Sequence, residues 1–219
     1  RRLDWIEMEL SLIQKITIYA LPVIFAITVH EAAHGYVARY FGDMTAAAAG
    51  RITLNPLKHI DPIGTILVPL LTMLAGGILF GWAKPVPVDF GRLRQPKRDM
   101  LWVAAAGPAS NLLMGLLWAL AYKLAPAFPP ALAVPLALMA QAGIMINVVL
   151  MVLNLLPLPP LDGGRIAVSL LPHRWAWKFA QLERFGLIIL IVLLFTGILG
   201  KILWPFVDAV SAAIFWLIS

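Results

Sequence analysis

Long apolar stretches separated by short polar connections dominate the amino-acid sequence. Five of these stretches are candidates for crossing a bilayer, and they cover residues 11–41, 98–125, 133–156, 185–200 and 202–218. The last two are short and are separated only by Gly200 and Lys201, so they predict either a tilted hairpin or a broken pair. The pattern predicts an all-α polytopic membrane protein.

A sixth stretch, residues 62–80, is long enough to span but contains two prolines and three glycines. Such residues interrupt helices, and an interrupted backbone is tolerated at membrane depth when protein surrounds it. The stretch therefore predicts a broken or re-entrant element. With it, we expect about five to six transmembrane or re-entrant helices.

Positively charged residues indicate which ends of the helices face the cytoplasm. They are concentrated in three connections, residues 42–61, 81–98 and 157–184. Since cytoplasmic loops carry the excess of lysine and arginine, all three connections are predicted to be cytoplasmic. A segment that joins two cytoplasmic connections cannot cross the bilayer once, so 62–80 is predicted to enter the membrane and return.

The composition is also that of a membrane protein. Hydrophobic residues make up 61% of the chain and charged residues 13%, and the mean hydropathy is +0.88. We expect one membrane-embedded unit over residues 1–219, with a core at 11–171 and a C-terminal helical hairpin at 185–218. The formal net charge of +6 is scattered between apolar stretches, which favours the lipid bilayer over nucleic acid as a partner.

A short motif, H-E-A-A-H at residues 30–34, interrupts the first apolar stretch. Residues four apart lie on one face of a helix, so His30 and His34 can bind one cation while Glu31 stands beside them. A pair of surface histidines is the alternative, which fits poorly because an ionisable cluster inside a hydrophobic span is costly. Cysteine is absent, so any metal must be bound by histidine or carboxylate side chains.

A catalytic zinc site usually has three protein ligands, so a third ligand is needed. His59 and His173 lie in basic connections and are predicted to be interfacial residues. Asp162 is the better candidate, because prolines end the preceding helix and two glycines permit a tight turn that holds the carboxylate on unwound backbone. The alternative role for Asp162 is the N-cap of a helix that begins near Gly163.

Three motifs together resemble the site-2 protease family, the intramembrane zinc metalloproteases of peptidase family M50. H-E-x-x-H in a membrane helix is followed by N-x-x-P-x-P-x-L-D-G at 154–163, and G-P-A-S-N at 107–111 is similar to the family's G-P-x-x-N element. G-W-A-K-P-V-P-V at 81–88 resembles the small bacterial and archaeal members that lack a PDZ domain. The resemblance covers about residues 20–170.

The resemblance implies one zinc ion per chain, bound by His30, His34 and Asp162. It implies that Glu31 is the catalytic residue, which accepts a proton from water and passes it to the leaving nitrogen. Many members have glycine before the second histidine, where this chain has Ala33, which is still small.

Two asparagines at membrane depth are further candidates for the site. Asn111 and Asn154 each lie in a family-like motif, and an uncharged amide can stabilise the oxyanion or bind the substrate backbone. Helix packing is the alternative role for both residues.

The resemblance also implies the substrate class, single-span membrane proteins cleaved during regulated intramembrane proteolysis. A helix ties up its own carbonyl groups, so we expect substrates with helix-weakening residues near the cytoplasmic side. The implied location is the prokaryotic cell (inner) membrane, with the active site facing the cytoplasm. Oligomeric state is not implied.

Two segments between the helices, residues 50–54 and 86–90, have partial alternation and predict short β-strands at the cytoplasmic interface. An exposed strand edge there could hold an extended peptide by strand addition, and an ordinary interfacial loop is the alternative.

Two other functions are compatible with ionisable residues inside a membrane. A metal- or ion-carrying transporter would use them as an ion path, but the sequence has no internal repeat and an ion path does not require this His–Glu spacing. An inactive scaffold that binds membrane helices would not need an intact set of ligands and base. Metal analysis with a cleavage assay of Glu31→Gln separates these functions.

Overall fold

The computed structural model describes residues 11–67 and 83–218, and these residues are mostly helical. The α-helices among them are α1 (Leu12–Tyr40), α2 (Thr45–Ala48), α3 (Pro96–Leu124), α4 (Pro130–Leu155), α5 (Asp162–Leu170), α6 (His173–Ala180), α7 (Glu183–Phe195) and α8 (Ile198–Ile218). Short 3₁₀ turns lie at Pro56–Lys58, Phe90–Arg92 and Ala125–Ala127, and a π-helical turn lies at Pro62–Leu67. The predicted all-α class is confirmed for this part of the chain.

Four of the described helices, α1, α3, α4 and α8, are long and apolar enough to cross a membrane. The predicted stretch 185–200 corresponds to α7, which has 13 residues. At 1.5 Å per residue, α7 is about 20 Å long, shorter than the hydrocarbon core of about 30 Å. The described residues therefore support fewer spans than the predicted five to six.

The break between the last two apolar stretches lies at Gly197. This residue has a φ of 73°, a left-handed conformation that favours glycine, and it separates α7 from α8. Gly200 and Lys201, where the sequence predicted the break, lie within α8.

The two predicted β-strands, residues 50–54 and 86–90, are not strands in the described structure, so this prediction was wrong. Pro85 and Pro87 lack the backbone donors that a ladder needs. A side chain joins the two segments instead, because Arg51 donates to the carbonyl oxygens of Lys84 and Pro85 at 2.9 and 3.3 Å. Most of the predicted re-entrant element at 62–80 lies outside the described residues, so its path stays a prediction.

The helices α1 and α3 each carry a stripe of buried residues that are spaced four apart. On α1 the buried stripe is Ile18, Pro22, Ala26, His30, His34 and Ala38, and on α3 it is Asp99, Val103, Gly107, Asn111, Gly115 and Ala119. Large apolar side chains of α1, such as Ile24 and Phe25, are exposed on the opposite face. This arrangement suits lipid, because apolar residues are solvated there and polar residues must face protein.

The two stripes meet in antiparallel order. The backbone N–H of Arg94 donates to the carbonyl of Phe41 at 3.0 Å, which places the end of α1 beside the start of α3. The helix α4 packs on α3, where Gly143 leaves room for the Trp118 ring and Gly115 adjoins Asn147. A core of α3, α4 and α8 residues, including Ile144, Val148, Leu203 and Val207, closes the other side.

Candidate metal centre

His30 and His34 project from adjacent turns of α1 toward α3, as their spacing predicts. Both are buried, and their Nε2 atoms lie 3.1 Å apart. Each Nδ1 atom has a partner on α3: His30 Nδ1 is 2.6 Å from Asn111 Oδ1, and His34 Nδ1 is 2.7 Å from Val103 O. The contacts at Nδ1 therefore fix the orientation of both rings, and their Nε2 atoms face the same space.

Asp162 reaches this space from the first turn of α5. The helix α4 ends, the chain turns through residues 156–161, and Asp162 begins the next helix. Asp162 Oδ2 lies 3.2 Å from His30 Nε2 and 3.3 Å from His34 Nε2. The N-cap residue of α5 is Leu161, so the alternative role of Asp162 as the N-cap is wrong.

The two glycines after Asp162 permit a close backbone approach. Neither Gly163 nor Gly164 has a positive φ. A Cβ on Gly163 would overlap the carbonyl group of Leu155, and a Cβ on Gly164 would lie 2.7 Å from the carbonyl carbon of Leu158. The first turn of α5 therefore packs directly against the end of α4, and this carries Asp162 to the histidines.

The hydrogen-bond partners fix where the imidazole rings carry hydrogen. Val103 O can only accept, so His34 Nδ1 must donate to it. Asn111 uses its amide group to donate to two other acceptors, so its Oδ1 accepts from His30 Nδ1. In the neutral rings both Nε2 atoms therefore present lone pairs to the shared space.

Three lone pairs converge at this point, because Asp162 Oδ2 is buried and has no hydrogen-bond donor among the residues that the structure describes. Ligand atoms held about 2.0–2.1 Å from a tetrahedral zinc ion lie about 3.3 Å from one another. The donor atoms and their separations therefore fit zinc.

The absence of a side chain at Gly107 makes room for the two imidazole rings. It lies on the buried stripe of α3, and a Cβ built on it would lie 2.6 Å from His30 Nε2 and closer still to His34 Nε2. No larger residue fits there while the rings keep their positions. This contact explains why the G-P-A-S-N motif begins with glycine.

Glu31 lies next to the three-residue cluster but is not part of it in the described structure. Its Oε2 accepts a hydrogen bond from the backbone N–H of Val86 at 2.7 Å. The side chains of Val86 and Ile52 pack over Gly35, where a Cβ would lie 3.2 and 3.0 Å from them. Residues 83–88 therefore pass beside the site and orient the carboxylate.

The segment 83–90 is held in place at both ends. The backbone N–H of Lys84 donates to the carbonyl of His59 at 2.9 Å, and that of Asp89 donates to Asp43 Oδ2 at 2.8 Å. Asp43 is fully buried just after α1, so it ties the segment to the end of that helix.

The other two histidines lie apart from the cluster. His59 is 3% exposed and its Nε2 is 2.9 Å from Thr53 O, so it is buried in protein, and its place at the membrane interface stays a prediction. His173 is exposed at the start of α6.

The predicted asparagines have different surroundings. Asn111 touches a proposed ligand through its Oδ1, so its contacts favour positioning of His30 over an oxyanion role. Asn154 is half-buried and donates to the carbonyl of Leu150 in its own helix at 3.0 Å. Sequence reasoning missed Asn147, a fully buried amide of α4 that bonds to Asn111. Its position in an apolar span was the signal that could have found it.

Comparisons with known proteins agree with this geometry. Residues 131–197 match the model of the family described as Peptidase family M50. A protein of Bacillus subtilis (strain 168) named "Putative zinc metalloprotease YwhC" is 40% identical over 203 residues, which is 91% of this chain and 90% of that protein. The chain belongs to peptidase family M50.

Two further relatives are less similar to this chain. Rip2 of Mycolicibacterium smegmatis, which carries the same zinc metalloprotease description, is 35% identical over 181 residues, 81% of this chain and 66% of that protein. Rip2 of Mycobacterium tuberculosis (strain H37Rv) is 32% identical over 187 residues, 83% of this chain and 70% of that protein. No solved structure matches the chain.

Membership of family M50 confirms three predictions from the sequence, namely the family, the zinc metalloprotease activity and zinc as the cofactor. The four apolar helices and the family together make this M50 protease an integral membrane protein. The family match at 131–197 contains Asp162, whereas the match to YwhC covers most of the chain.

Proposed function

We propose that this M50 protease cleaves single-span membrane proteins within the bilayer, near its cytoplasmic side, in regulated intramembrane proteolysis. The observation that carries the proposal is the convergence of His30, His34 and Asp162 between helices that are apolar enough to span a membrane. His34 lies six residues and His30 ten residues before the end of α1. At 1.5 Å per residue, they are about 9 and 15 Å along the helix from that end.

The cytoplasmic side is supported by the basic connections. The end of α1 lies beside the start of α3, and the turn after α4 carries Asp162 to the same end of the bundle. The connections at this end, residues 42–61, 83–95 and 157–184, carry most of the lysine and arginine of the chain. By the positive-inside rule, we place this end in the cytoplasm of a prokaryotic cell and treat the chain as one membrane-embedded domain.

In the proposed reaction, His30, His34 and Asp162 hold one zinc ion. Zinc, when bound, polarises the scissile carbonyl and lowers the pKa of water toward about 7. Glu31 takes the proton of the attacking water and passes it to the leaving nitrogen. The hydrogen bond from Val86 to Oε2 orients this carboxylate, so Oε1 is the oxygen we assign to the proton.

The substrate is proposed to lie along residues 83–88 after it unwinds. Pro85 and Pro87 bias the residues before them toward extended backbone, and this segment passes beside Glu31. Because Pro85 and Pro87 have no N–H, pairing with an extended peptide would use the remaining backbone groups of this segment, and such pairing requires little side-chain specificity. This property suits an enzyme that acts on transmembrane segments.

The test is to compare wild type with Glu31→Gln in proteoliposomes, using a tagged single-span substrate and measuring cleavage and zinc content. We expect cleavage to fall by about 10²–10⁴-fold, because the general base is lost. Zinc content should stay at one ion per chain, because Glu31 is outside the ligand cluster. Glu183→Gln is the matched control, since Glu183 is an exposed glutamate of α7 that contacts Arg165.

Each outcome separates the proposed function from its alternatives. Equal cleavage by wild type and Glu31→Gln would contradict the protease mechanism. Wild-type protein that binds zinc but cleaves no single-span substrate would favour a metal carrier or a scaffold. Cleavage sites mapped by mass spectrometry to the half of the substrate span that lies away from the cytoplasm would contradict the proposed depth.

A further inference from the structure

Two asparagines with no exposed surface form a polar contact in the middle of the helix bundle. Asn111 of α3 and Asn147 of α4 are both 0% exposed, and Asn111 Nδ2 donates to Asn147 Oδ1 at 2.9 Å. A buried amide costs free energy unless its donors and acceptors are paired. A pair of them between two apolar helices therefore calls for an explanation beyond packing.

The hydrogen bonds of the pair can run in only one direction. Asn147 Nδ2 donates to Gly143 O at 2.8 Å, and a carbonyl oxygen can only accept. This bond holds the Asn147 amide with its oxygen toward Asn111. Asn111 then uses its two amide hydrogens on Asn147 Oδ1 and on Ala26 O at 3.2 Å.

The other polar atom of the Asn111 amide, Oδ1, lies 2.6 Å from His30 Nδ1. Because this oxygen only accepts, His30 must carry its hydrogen on Nδ1 and leave Nε2 free for metal. Two rigid acceptors, Gly143 O on α4 and Ala26 O on α1, thus set the tautomer of a histidine through two side chains.

The second histidine shows why His30 needs this support. His34 Nδ1 donates directly to the backbone carbonyl of Val103, which cannot rotate. The partner of His30 is an amide, and an amide can turn over and present Nδ2 in place of Oδ1. A turned amide would donate to His30 Nδ1 and move the ring hydrogen to Nε2, where it would block a metal.

We propose that Asn147 is a positioning residue for the zinc site: it holds the amide of Asn111 in the one orientation that leaves His30 Nε2 free to bind metal. The inference rests on the ligand set of the proposed function. Asn147 lies on α4, outside that ligand set, and acts on His30 only through Asn111.

The experiment measures zinc affinity of the full-length protein in nanodiscs by competition with a fluorescent chelator. Asn147→Leu has nearly the same size but lacks the acceptor, and we expect it to bind zinc about tenfold more weakly. Asn147→Asp keeps an acceptor oxygen and, as a neutral acid, a donor for Gly143 O, so its affinity should stay within about threefold of wild type. Gln141→Leu is the matched control, because it removes an amide from the same helix away from Asn111.

Several results would overturn the inference. Wild-type zinc affinity in Asn147→Leu would contradict it, and so would an equal loss in Asn147→Leu and Asn147→Asp, because the acceptor would then not be the cause. If Asn147→Leu does not fold, Asn147→Ala replaces it, since it also removes the acceptor. A protease that is weakened only through its metal should regain wild-type kcat at saturating zinc, whereas a lasting kcat loss would contradict positioning.

The outcome is separable from that of the proposed function. If wild-type protein binds no zinc, the ligand set itself is wrong. If both Asn147 variants bind zinc as tightly as wild type does, the ligand set stands and only the role of Asn147 is wrong.

Discussion

The α1–α3 contact and the α7–α8 pair are both built from apolar helices, but they bury different kinds of residue. The α1–α3 contact encloses His30, His34 and Asn111. The α7–α8 pair buries apolar side chains, mainly Leu190, Leu199, Leu203, Val207 and Ile214. In both regions many large apolar residues face outward. Apolar content therefore identifies the spans, whereas the buried polar residues identify the site.

The two regions also differ in how closely their helices approach. The stripes of α1 and α3 contain small residues such as Ala26, Ala38 and Gly107, so side-chain rings and amides can bridge the backbones. The buried residues of α8 are larger and fill the space between helices themselves. Small residues along both stripes thus distinguish the α1–α3 contact from the buried face of α8.

The largest effect on the site is expected from Gly107→Ala. Its Cβ would enter the space of both imidazoles, so at least one ring must leave its position. We expect zinc affinity to fall by about 100-fold and cleavage to fall with it. Competition with a fluorescent chelator measures the affinity.

Gly115→Ala is the control for this substitution. It lies two turns further along α3, and its Cβ would meet Ile214 and Asn147 at ordinary distances of 3.7 and 3.8 Å. Equal zinc affinities for Gly107→Ala and Gly115→Ala would mean that the room left by Gly107 beside the two imidazoles is not needed for zinc binding.

A smaller effect is expected from Val86→Pro, which removes the N–H that donates to Glu31. A hydrogen bond to a charged group contributes about 1.5–3 kcal/mol, so we expect cleavage to fall about tenfold or more. Zinc affinity should be unchanged, because the contact is with the proposed base and not with a ligand. The control Val86→Ala retains the N–H, and an equal loss there would assign the effect to packing over Gly35.

The smallest effect on the site is expected from Val207→Ala in α8. Val207 is fully buried in an apolar core, so the substitution should lower the free energy of unfolding by about 1–3 kcal/mol. Zinc affinity per folded molecule should not change. Val192→Ala on the exposed face of α7 is the control, with an expected change within about 0.5 kcal/mol. A drop in zinc affinity with Val207→Ala would remove the distinction between the two regions.

Much of the site could be predicted from local sequence. The spacing of His30 and His34 requires only a helix. The prolines before Asp162 are sufficient to predict that the preceding helix, α4, ends there. The conformation of residues 50–54 and 86–90 could not be predicted from local sequence. The two segments are joined by hydrogen bonds from the Arg51 side chain, and the pattern of residues within one segment does not show this contact. The burial of His59 could not be predicted from local sequence either, since it depends on segments distant in sequence.

The sequence by itself determined the membrane class, the family, the zinc chemistry and the three residues expected to bind metal, because these depend on composition and short motifs. Only the tertiary structure decided that Asn147 supports His30 through Asn111, that Val86 orients Glu31 and that Gly107 lies beneath both rings. Each of these is a contact between helices or segments far apart in the chain. Hydrogen-bond direction and van der Waals distance fix such contacts, and no periodicity within one element records them.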